Sequence, residues 1–238
     1  MQNIDSKSSF ILGFFIFLGL LVLGYLLANS VIKYKELERT VIVKGLSEKE
    51  VDANIALWPI KFTVLENSLD KLNEKVEKDT SEILAFLEKN GINKDEITVN
   101  SPAIIDKMAN EYSNQEIQVR YLANRTINIY STNIQKIRDI SANLFELSKK
   151  EILFNINDYD SKIEYEYTKL NDIKPLMIEE ATSNARSVAM KFAIDSNSKL
   201  GKIKKASQGQ FVITSRDKNT EYIKTVRIVS TIEYYLSD

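Results

Sequence analysis

In the pattern of hydrophobic and polar positions, the longest apolar run lies near the start of the sequence. Residues 10–32 read FILGFFIFLGLLVLGYLLANSVI, and no charged side chain occurs between Lys7 and Lys33. As a helix, this run is long enough to cross about 30 Å of hydrocarbon. We therefore predict a short tail at 1–9, a transmembrane anchor helix at 10–32 and a charged neck at 33–40 that continues the helix. The side chains expected to face lipid include Phe10, Phe14, Phe17, Leu21, Tyr25 and Ile32.

A cleaved secretory signal is the competing interpretation of this run. Two features favour a retained anchor. The run is longer than the signal-peptide core of about 7 to 15 apolar residues, and Leu26 precedes the small residues at 28–30 where cleavage needs a small side chain. The flanking cations Lys33, Lys35 and Arg39 favour a cytoplasmic domain, but long domains cross the membrane despite such charges. The charge count therefore leaves the orientation open.

Beyond residue 40, short segments of strand character alternate with longer segments of helical periodicity. The strand segments are 41–43, 51–65, 97–101, 117–131, 152–156, 162–168, 203–213 and 226–236. We expect the first to end in a turn at Gly45 and to pair with the second. Pro59 cannot donate a ladder hydrogen bond, which places it at a sheet edge or a bulge. The segments 152–156 and 162–168 are expected to pair around a turn, as are the last two segments around 215–219.

Apolar residues at spacings of three and four predict three amphipathic helices, at 68–90, 133–150 and 172–199. We expect Asn67 or Ser68 to cap the first, and Asn133 to cap the second.

The third predicted helix has small residues along its buried face. Asn171 or Asp172 is expected to cap it, Pro175 falls in its first turn, and Gly201 follows its end. The small residues are Ala181, Ala185, Ala189 and Ala193. With Met177, Val188 and Phe192 beside them, they would allow close approach to a sheet or to another helix.

The alternation of strand pairs with single helices predicts an α+β fold. Three amphipathic helices would cover one face of a largely antiparallel sheet, in a single domain spanning 41–238. Only three prolines occur in the chain, and no flexible linker interrupts this part.

Charge and composition exclude several classes of function. The formal net charge is -1 with 27% charged residues, which argues against nucleic-acid binding. The chain has no Cys and no His, which excludes disulfides, thiol nucleophiles, Ser-His-Asp triads and ordinary zinc sites. We therefore predict no catalytic residue, no cofactor and no metal ligand.

Three local features remain open to a functional interpretation. Trp58, the only tryptophan, and Pro59 suit a binding contact or an oligomer interface, although ordinary packing is favoured. Four acidic residues could together bind a hard cation: Asp158, Asp160, Glu164 and Glu166. They lack the glycine and the spacing of a calcium loop, so a solvated turn and strand face is favoured. Five tyrosines could form an aromatic surface for a peptide or a glycan: Tyr159, Tyr165, Tyr167, Tyr234 and Tyr235. Packing of these rings in the core or on a sheet face is the favoured interpretation.

Four segments in this order resemble the SIMPL-domain family over essentially the whole soluble part. They are VIVKGLSEKEV, YLANRTINIY, ATSNARSVAMKFAIDSNSKLGKI and VRIVSTIEYYL. Residues matching recurrent family positions are Gly45, Tyr121, Asn124 and Gly201, which we interpret as structural. The chain departs from the family in having Trp58-Pro59, where many members have a proline-aspartate pair earlier, at about Ala53-Asn54.

The resemblance implies export to the bacterial periplasm or cell surface, with ring-like or cage-like homo-oligomers in some members. It implies no agreed enzymatic activity and no catalytic motif, while links to oxidative stress and signalling have been proposed.

Two functional hypotheses follow. The first is a non-enzymatic scaffold anchored in the bacterial inner membrane by one helix, with its domain in the periplasm. It would self-associate and act in the envelope or in a stress response, without nucleic acid and with no protein partner identified. Its candidate interface residues are Trp58, Pro59, Ala181, Ala185 and Ala189. The alternative is a periplasmic ligand-binding or sensor module that acts with a membrane partner.

Overall fold

Helices and antiparallel sheets make up the structure, a computed structural model that describes residues 6–37, 39–109, 118–155 and 161–237. This confirms the α+β prediction. The helices are α1 (Ser6–Leu37), α2 (Leu69–Lys89), α3 (Ile134–Ala142), α4 (Phe145–Ser148) and α5 (Leu170–Asp195). The strands are β1 (Thr40–Asp52), β2 (Ile55–Glu66), β3 (Ile97–Val99), β4 (Ala103–Asp106), β5 (Tyr121–Ser131), β6 (Leu153–Phe154), β7 (Glu164–Glu166), β8 (Lys199–Gln208), β9 (Val212–Ser215) and β10 (Ile223–Ser237).

The chain divides into two compact units. Unit 1 comprises Met1–Glu48, Lys174–Val212 and Arg227–Asp238, and unit 2 comprises Lys49–Ile173 and Ile213–Val226. Each unit is therefore assembled from segments that lie far apart in sequence.

Helix α1 contains the apolar run. The span Phe10–Ser30 has 21 residues, a mean hydropathy of 2.7 and no buried residue. It is long and apolar enough to cross a membrane, and a signal sequence near an N-terminus has the same properties. The helix continues to Leu37, so most of the predicted neck is helical.

Unit 2 is built around β2, which lies between β5 on one side and β6 and β7 on the other. The β2–β5 register is antiparallel and unbroken from Ala56↔Ser131 to Glu66↔Tyr121. Alternate β2 side chains are buried in one apolar cluster with side chains of α2, α3 and β5. This alternation is the period-2 pattern that the sequence shows.

Two predicted strand pairings are wrong. β1 does not pair with β2 but with β10, and it runs through Gly45 to Asp52 instead of turning there. The chain changes partners at the next two residues, because the Ala53 N–H donates to Tyr222 O and the Asn54 N–H donates to Glu166 O.

β6 and β7 likewise do not pair with each other, since both pair with β2. β7 lies beside residues 55–57 and β6 beside residues 62–63, which leaves 58–61 unpaired on that side by any described strand. Pro59 lies in this gap, where no described strand is present to receive a ladder hydrogen bond, so its missing N–H removes none. Pro59 therefore lies at a sheet edge on this side only, because on the opposite side it pairs with Asn128 of β5.

The second predicted helix is two helices. The Asn133 side chain caps α3 as expected, accepting from the Lys136 N–H at 3.0 Å. The helix ends at Ala142 because the next two N–H groups bond three residues back, Asn143 to Ile140 and Leu144 to Ser141. Ser68 occupies the cap position of α2 but makes no capping side-chain hydrogen bond, and the Asn67 side chain instead accepts from the Arg120 N–H.

Unit 1 contributes most of a second sheet with the order β1-β10-β8, to which β9 adds by pairing with β10. β8 and β10 are antiparallel, from Ser230↔Gln208 to Ser237↔Lys199. The predicted strand 203–213 is divided into β8 and β9 at Gly209, whose N–H donates to Val229 O. The end of the chain therefore contains three strands, where two were predicted.

Helix α5 differs from its prediction at both ends. It begins at Leu170, so Asn171 and Asp172 lie inside it and Pro175 falls in the second turn. It ends at Asp195, and Asn197 (φ 52) adopts the left-handed conformation while the Ser198 N–H bonds to Ala193 O. Gly201, expected just past the helix, lies within β8.

Candidate functional site

A cavity of about 500 Å³ opens in unit 2 where β2 has no strand neighbour between β6 and β7. The gap residues 58–61 form one wall, and the ends of β6 and β7 flank it. Further walls come from α3, the start of α4 and the segment between β9 and β10. Four segments distant in sequence thus meet at one site.

The floor of the cavity is apolar and aromatic. Trp58 and Ile60 of β2 are buried, 3% and 2% exposed, and Leu144, Phe154 and Tyr165 complete the lining. A concave apolar floor with a few polar groups is typical of small-molecule sites.

Aromatic rings and a guanidinium are stacked at one side of this floor. The Arg138 Cζ lies 3.8 Å from the centre of the Tyr222 ring, and the Tyr222 ring meets that of Tyr165 edge-on at 6.2 Å between centroids. The Arg138 Nη1 also donates to Gln135 Oε1 at 3.0 Å, which fixes the orientation of the guanidinium. Burial raises the pKa of the Tyr165 phenol, with Arg138 opposing the shift, so this ring is neutral at physiological pH.

Among the described residues, the lining carries more cations than carboxylates. Its cations are Lys61, Arg138, Lys162 and Lys218, of which Lys61 and Lys162 already interact with other groups, and its described carboxylate is that of Glu221. The Ser161 hydroxyl also lies in the lining, and its buried Oγ has no hydrogen-bond partner within the described residues. The site therefore offers ring stacking, positive charge and a hydroxyl to a bound molecule.

The structure brings Trp58 and Pro59 together at this cavity. Because the Trp58 side chain is almost fully buried, ordinary packing accounts for most of its surface, while its remaining surface belongs to the cavity wall.

The alanines of α5 lie elsewhere, in unit 1. Ala181, Ala185 and Ala189 are fully buried within the chain, where Ala185 and Ala189 pack with Val43 and Ile232 of the unit 1 sheet. They are therefore not accessible to a second copy of the chain, and their small size serves the close approach of helix to sheet.

The anchor residues Phe10, Phe14, Phe17, Leu21 and Tyr25 all lie exposed on α1. Ile32 lies within α1, but its side chain is outside the described residues.

The acidic and tyrosine groups are not assembled into sites by the described residues. Glu164 and Glu166 are exposed on β7, and Asp158, Asp160 and Tyr159 lie outside the described residues. In the part of the chain that the structure describes, no group of three acidic side chains is placed to hold a metal ion. Of the other tyrosines, Tyr165 lines the cavity, Tyr167 is half-buried and donates its hydroxyl to Lys169 O, Tyr234 is buried and Tyr235 is exposed.

Sequence reasoning missed the cationic and polar part of the cavity. Arg138 is only a polar position of a predicted helix, Lys218 lies within the predicted hairpin 215–219, and Tyr222 follows it. No local signal joins these residues, because they come from segments that are distant in the sequence and meet only in the folded chain.

Comparison with known protein families gives a match. A family model matches residues 41–225, and its description is SIMPL: Protein of unknown function (DUF541). The match covers most of the chain, including segments of both units. No curated protein matches the chain.

Proposed function

The chain belongs to the SIMPL family, and from this premise we propose that it is a membrane-anchored, non-enzymatic scaffold of the bacterial periplasm that self-associates. The absence of Cys and His from the sequence supports a non-enzymatic role, because it removes the commonest nucleophiles and general bases. An action in the envelope or in a stress response fits the same location.

One observation carries the proposal of self-association. The last two turns of α5 expose four large apolar side chains: Val188, Met190, Phe192 and Ile194. Phe192 and Ile194 are 54% and 67% exposed. Val188 lies four residues before Phe192 and Met190 four residues before Ile194, so they form two exposed apolar pairs on different sides of the helix, and Val188 and Phe192 do not lie on its buried face as expected. Exposed apolar groups of this kind mark interaction surfaces. β8, the last strand of the unit 1 sheet order, adds an exposed edge and the half-exposed side chain of Ile203.

The mass of the full-length protein in mild detergent tests self-association. We expect a discrete mass of several subunits, and we expect Phe192→Ser to reduce it. Phe145→Ser is the matched control, because Phe145 is also an exposed helical phenylalanine, 71% exposed, but lies in unit 2. A monomeric wild-type protein would refute the scaffold. An assembly that both variants leave intact would refute this surface as its contact.

Anchoring and location have their own test. The exposed apolar face of α1 supports a retained anchor, and the family resemblance supports export. Because the chain has no cysteine, a Ser207→Cys variant would carry a single thiol on the exposed strand β8. We expect a membrane-impermeant maleimide to label it in cells whose inner membrane is intact. We expect the purified protein to retain residues 10–32. Labelling only after lysis, or a new N-terminus near residue 30, would contradict the proposal.

The cavity of unit 2 favours a second candidate function, a periplasmic module that binds a small molecule and acts with a membrane partner. Its volume lies within the range of about 300 to 1,000 Å³ that is usual for ligand sites. A ligand that binds only the folded state raises the melting temperature. A small-molecule screen that produces no such rise would count against this function.

A further inference from the structure

We propose that the cavity of unit 2 binds a small organic anion with a flat apolar body, such as an aromatic carboxylate. This inference rests on the second candidate function, small-molecule binding, and specifies the chemical class of its ligand.

The floor determines the apolar part of the ligand. Phe154 and Tyr165 are half-buried and line the cavity, together with the small remaining surface of the almost fully buried Trp58 and Ile60. A flat ring system gains both area burial and offset or edge-to-face contacts on such a floor. A flexible polar ligand such as a sugar would leave this surface poorly matched.

The rim determines the charge of the ligand. Among the described lining residues, Arg138 and Lys218 are the cations that carry this argument, because Lys61 and Lys162 already interact with other groups, and the carboxylate is that of Glu221. Lys218 is exposed at the rim, whereas Arg138 is half-buried. An anion would be attracted from solvent by the rim and held where the dielectric is lower.

Arg138 is the residue best placed to recognise the anionic group. Stacking on Tyr222 and the hydrogen bond to Gln135 hold its guanidinium in one plane. A guanidinium carries five N–H donors, and its flat edge matches the two oxygens of a carboxylate. Because Arg138 is already oriented, little side-chain entropy is lost when such a ligand binds.

Ser161 provides a second polar contact. Its buried Oγ has no partner among the described residues, and an unpaired buried hydroxyl costs free energy that a ligand group can recover. Because a hydroxyl both donates and accepts, it suits a carboxylate oxygen or a neighbouring phenol. The floor, the rim and this hydroxyl together favour a ring-bearing anion over a neutral apolar compound.

Titration calorimetry on the full-length protein in nonionic detergent tests the inference, with 2-naphthoate and its neutral analogue 2-naphthamide as probes. Blank titrations into micelles correct for partitioning. We expect 2-naphthoate to bind at least tenfold more tightly than 2-naphthamide, because a hydrogen bond to a charged group is worth about tenfold or more in affinity. We also expect affinity for the anion to fall as salt rises, while affinity for the amide stays constant.

Substitutions locate the site. Arg138→Met should weaken binding of 2-naphthoate about tenfold and leave that of 2-naphthamide nearly unchanged. Lys149→Met is the matched control, because Lys149 is an exposed cation of unit 2 outside the cavity lining. Lys218→Met serves if Arg138→Met fails to fold, since Lys218 is exposed at the rim and should show a smaller loss in the same direction.

The outcomes separate the inference from the function on which it rests. If neither probe binds, the ligand class is refuted, while the binding function itself is decided by the small-molecule screen. If both probes bind equally well, the cavity is a binding site but its preference for an anion is refuted. If 2-naphthoate binds and none of the cavity variants changes its affinity, the site lies elsewhere and the inference fails.

Discussion

Substituting Gly45 by alanine tests the closest contact in unit 1. An ideal Cβ at this position would lie 1.8 Å from Ala181 O, 2.5 Å from Ala185 N and 2.9 Å from Ala185 Cβ. Two of these three atoms belong to the backbone of α5, and an alanine Cβ has no torsion by which to avoid them. The helix and β1 must therefore separate by about 1.6 Å to reach ordinary contact at 3.4 Å.

The expected cost follows from this displacement. Inserting a methyl group into a close-packed interior typically costs about 1 to 3 kcal/mol, and a rigid backbone neighbour places this substitution at or above the upper value. Separation would also loosen the packing of Ala185 and Ala189 on Val43 and Ile232. For a chain of this size, about 3 kcal/mol corresponds to a fall in melting temperature of roughly 6 to 12 °C.

Thermal unfolding of the full-length protein in mild detergent, followed by circular dichroism, measures this fall. Amide hydrogen exchange of β1 and α5 localises it to unit 1. Gly201→Ala provides a graded comparison, because its Cβ would lie 3.0 Å from Tyr235 O, and we expect a loss of about 1 kcal/mol. Lys44→Ala, on the exposed face of β1, is the control for a change without a clash. If Gly45→Ala unfolded at the same temperature as Lys44→Ala, the close approach of α5 to β1 would be refuted.

Three further predictions concern backbone conformation and charge. Asn197→Gly should leave stability nearly unchanged, whereas Asn197→Val should cost about 1 to 2 kcal/mol in the same thermal assay, because only the latter is strained at φ 52. Burial raises the pKa of Asp79 in the folded state, so its contribution to stability is lost as pH rises through that value. Asp79→Asn should therefore raise the melting temperature at pH 7, with a gain that disappears at pH values below the usual pKa of an aspartate. Hydrogen bonds, first of all from the Thr220 hydroxyl and then from the Asn219 N–H, lower the pKa of Asp217 to about 2. Its contribution is thus present above the usual aspartate pKa and lost as pH falls through about 2, which NMR titration of the carboxylate and the pH dependence of Asp217→Asn measure.

Each of these predictions has a contradicting result. Equal stability of the Gly and Val variants would contradict the left-handed conformation of Asn197. Glu74, exposed on the same helix as Asp79, supplies the control Glu74→Gln, and an equal gain from both variants would contradict a burial effect. An Asp217 carboxylate that titrates near pH 4 would contradict its hydrogen bonds.

Several elements could be predicted well because their signal is local. The apolar run of α1 predicts a long apolar helix. The three- and four-residue spacing of α2 and the alternation of β5 each indicate which face of one element is buried. Asn133 also capped its helix as predicted, because a cap depends on three or four neighbouring residues.

The failures share one physical cause, which is that strand partners are chosen over long sequence distances. The sequence alone placed β1 and β2 next to each other, since adjacent strands often pair, but β1 pairs with β10 near the end of the chain. Gly45 was assigned to a turn because glycine is common there, whereas its missing side chain admits the backbone of α5.

The candidate site likewise depends on contacts between segments that are far apart in the sequence. The amino-acid sequence by itself determined the N-terminal apolar helix, the α+β class and the family of this protein, because hydrophobic periodicity and segment order are properties of the linear chain. Only the tertiary structure decided that residues 58–61 of β2 have no described strand neighbour between β6 and β7. It also decided that Arg138, Tyr222 and Trp58 line the same cavity. Contacts of this kind form when distant segments compete for the same sheet edge and the same apolar surface, and no single segment encodes the outcome of that competition.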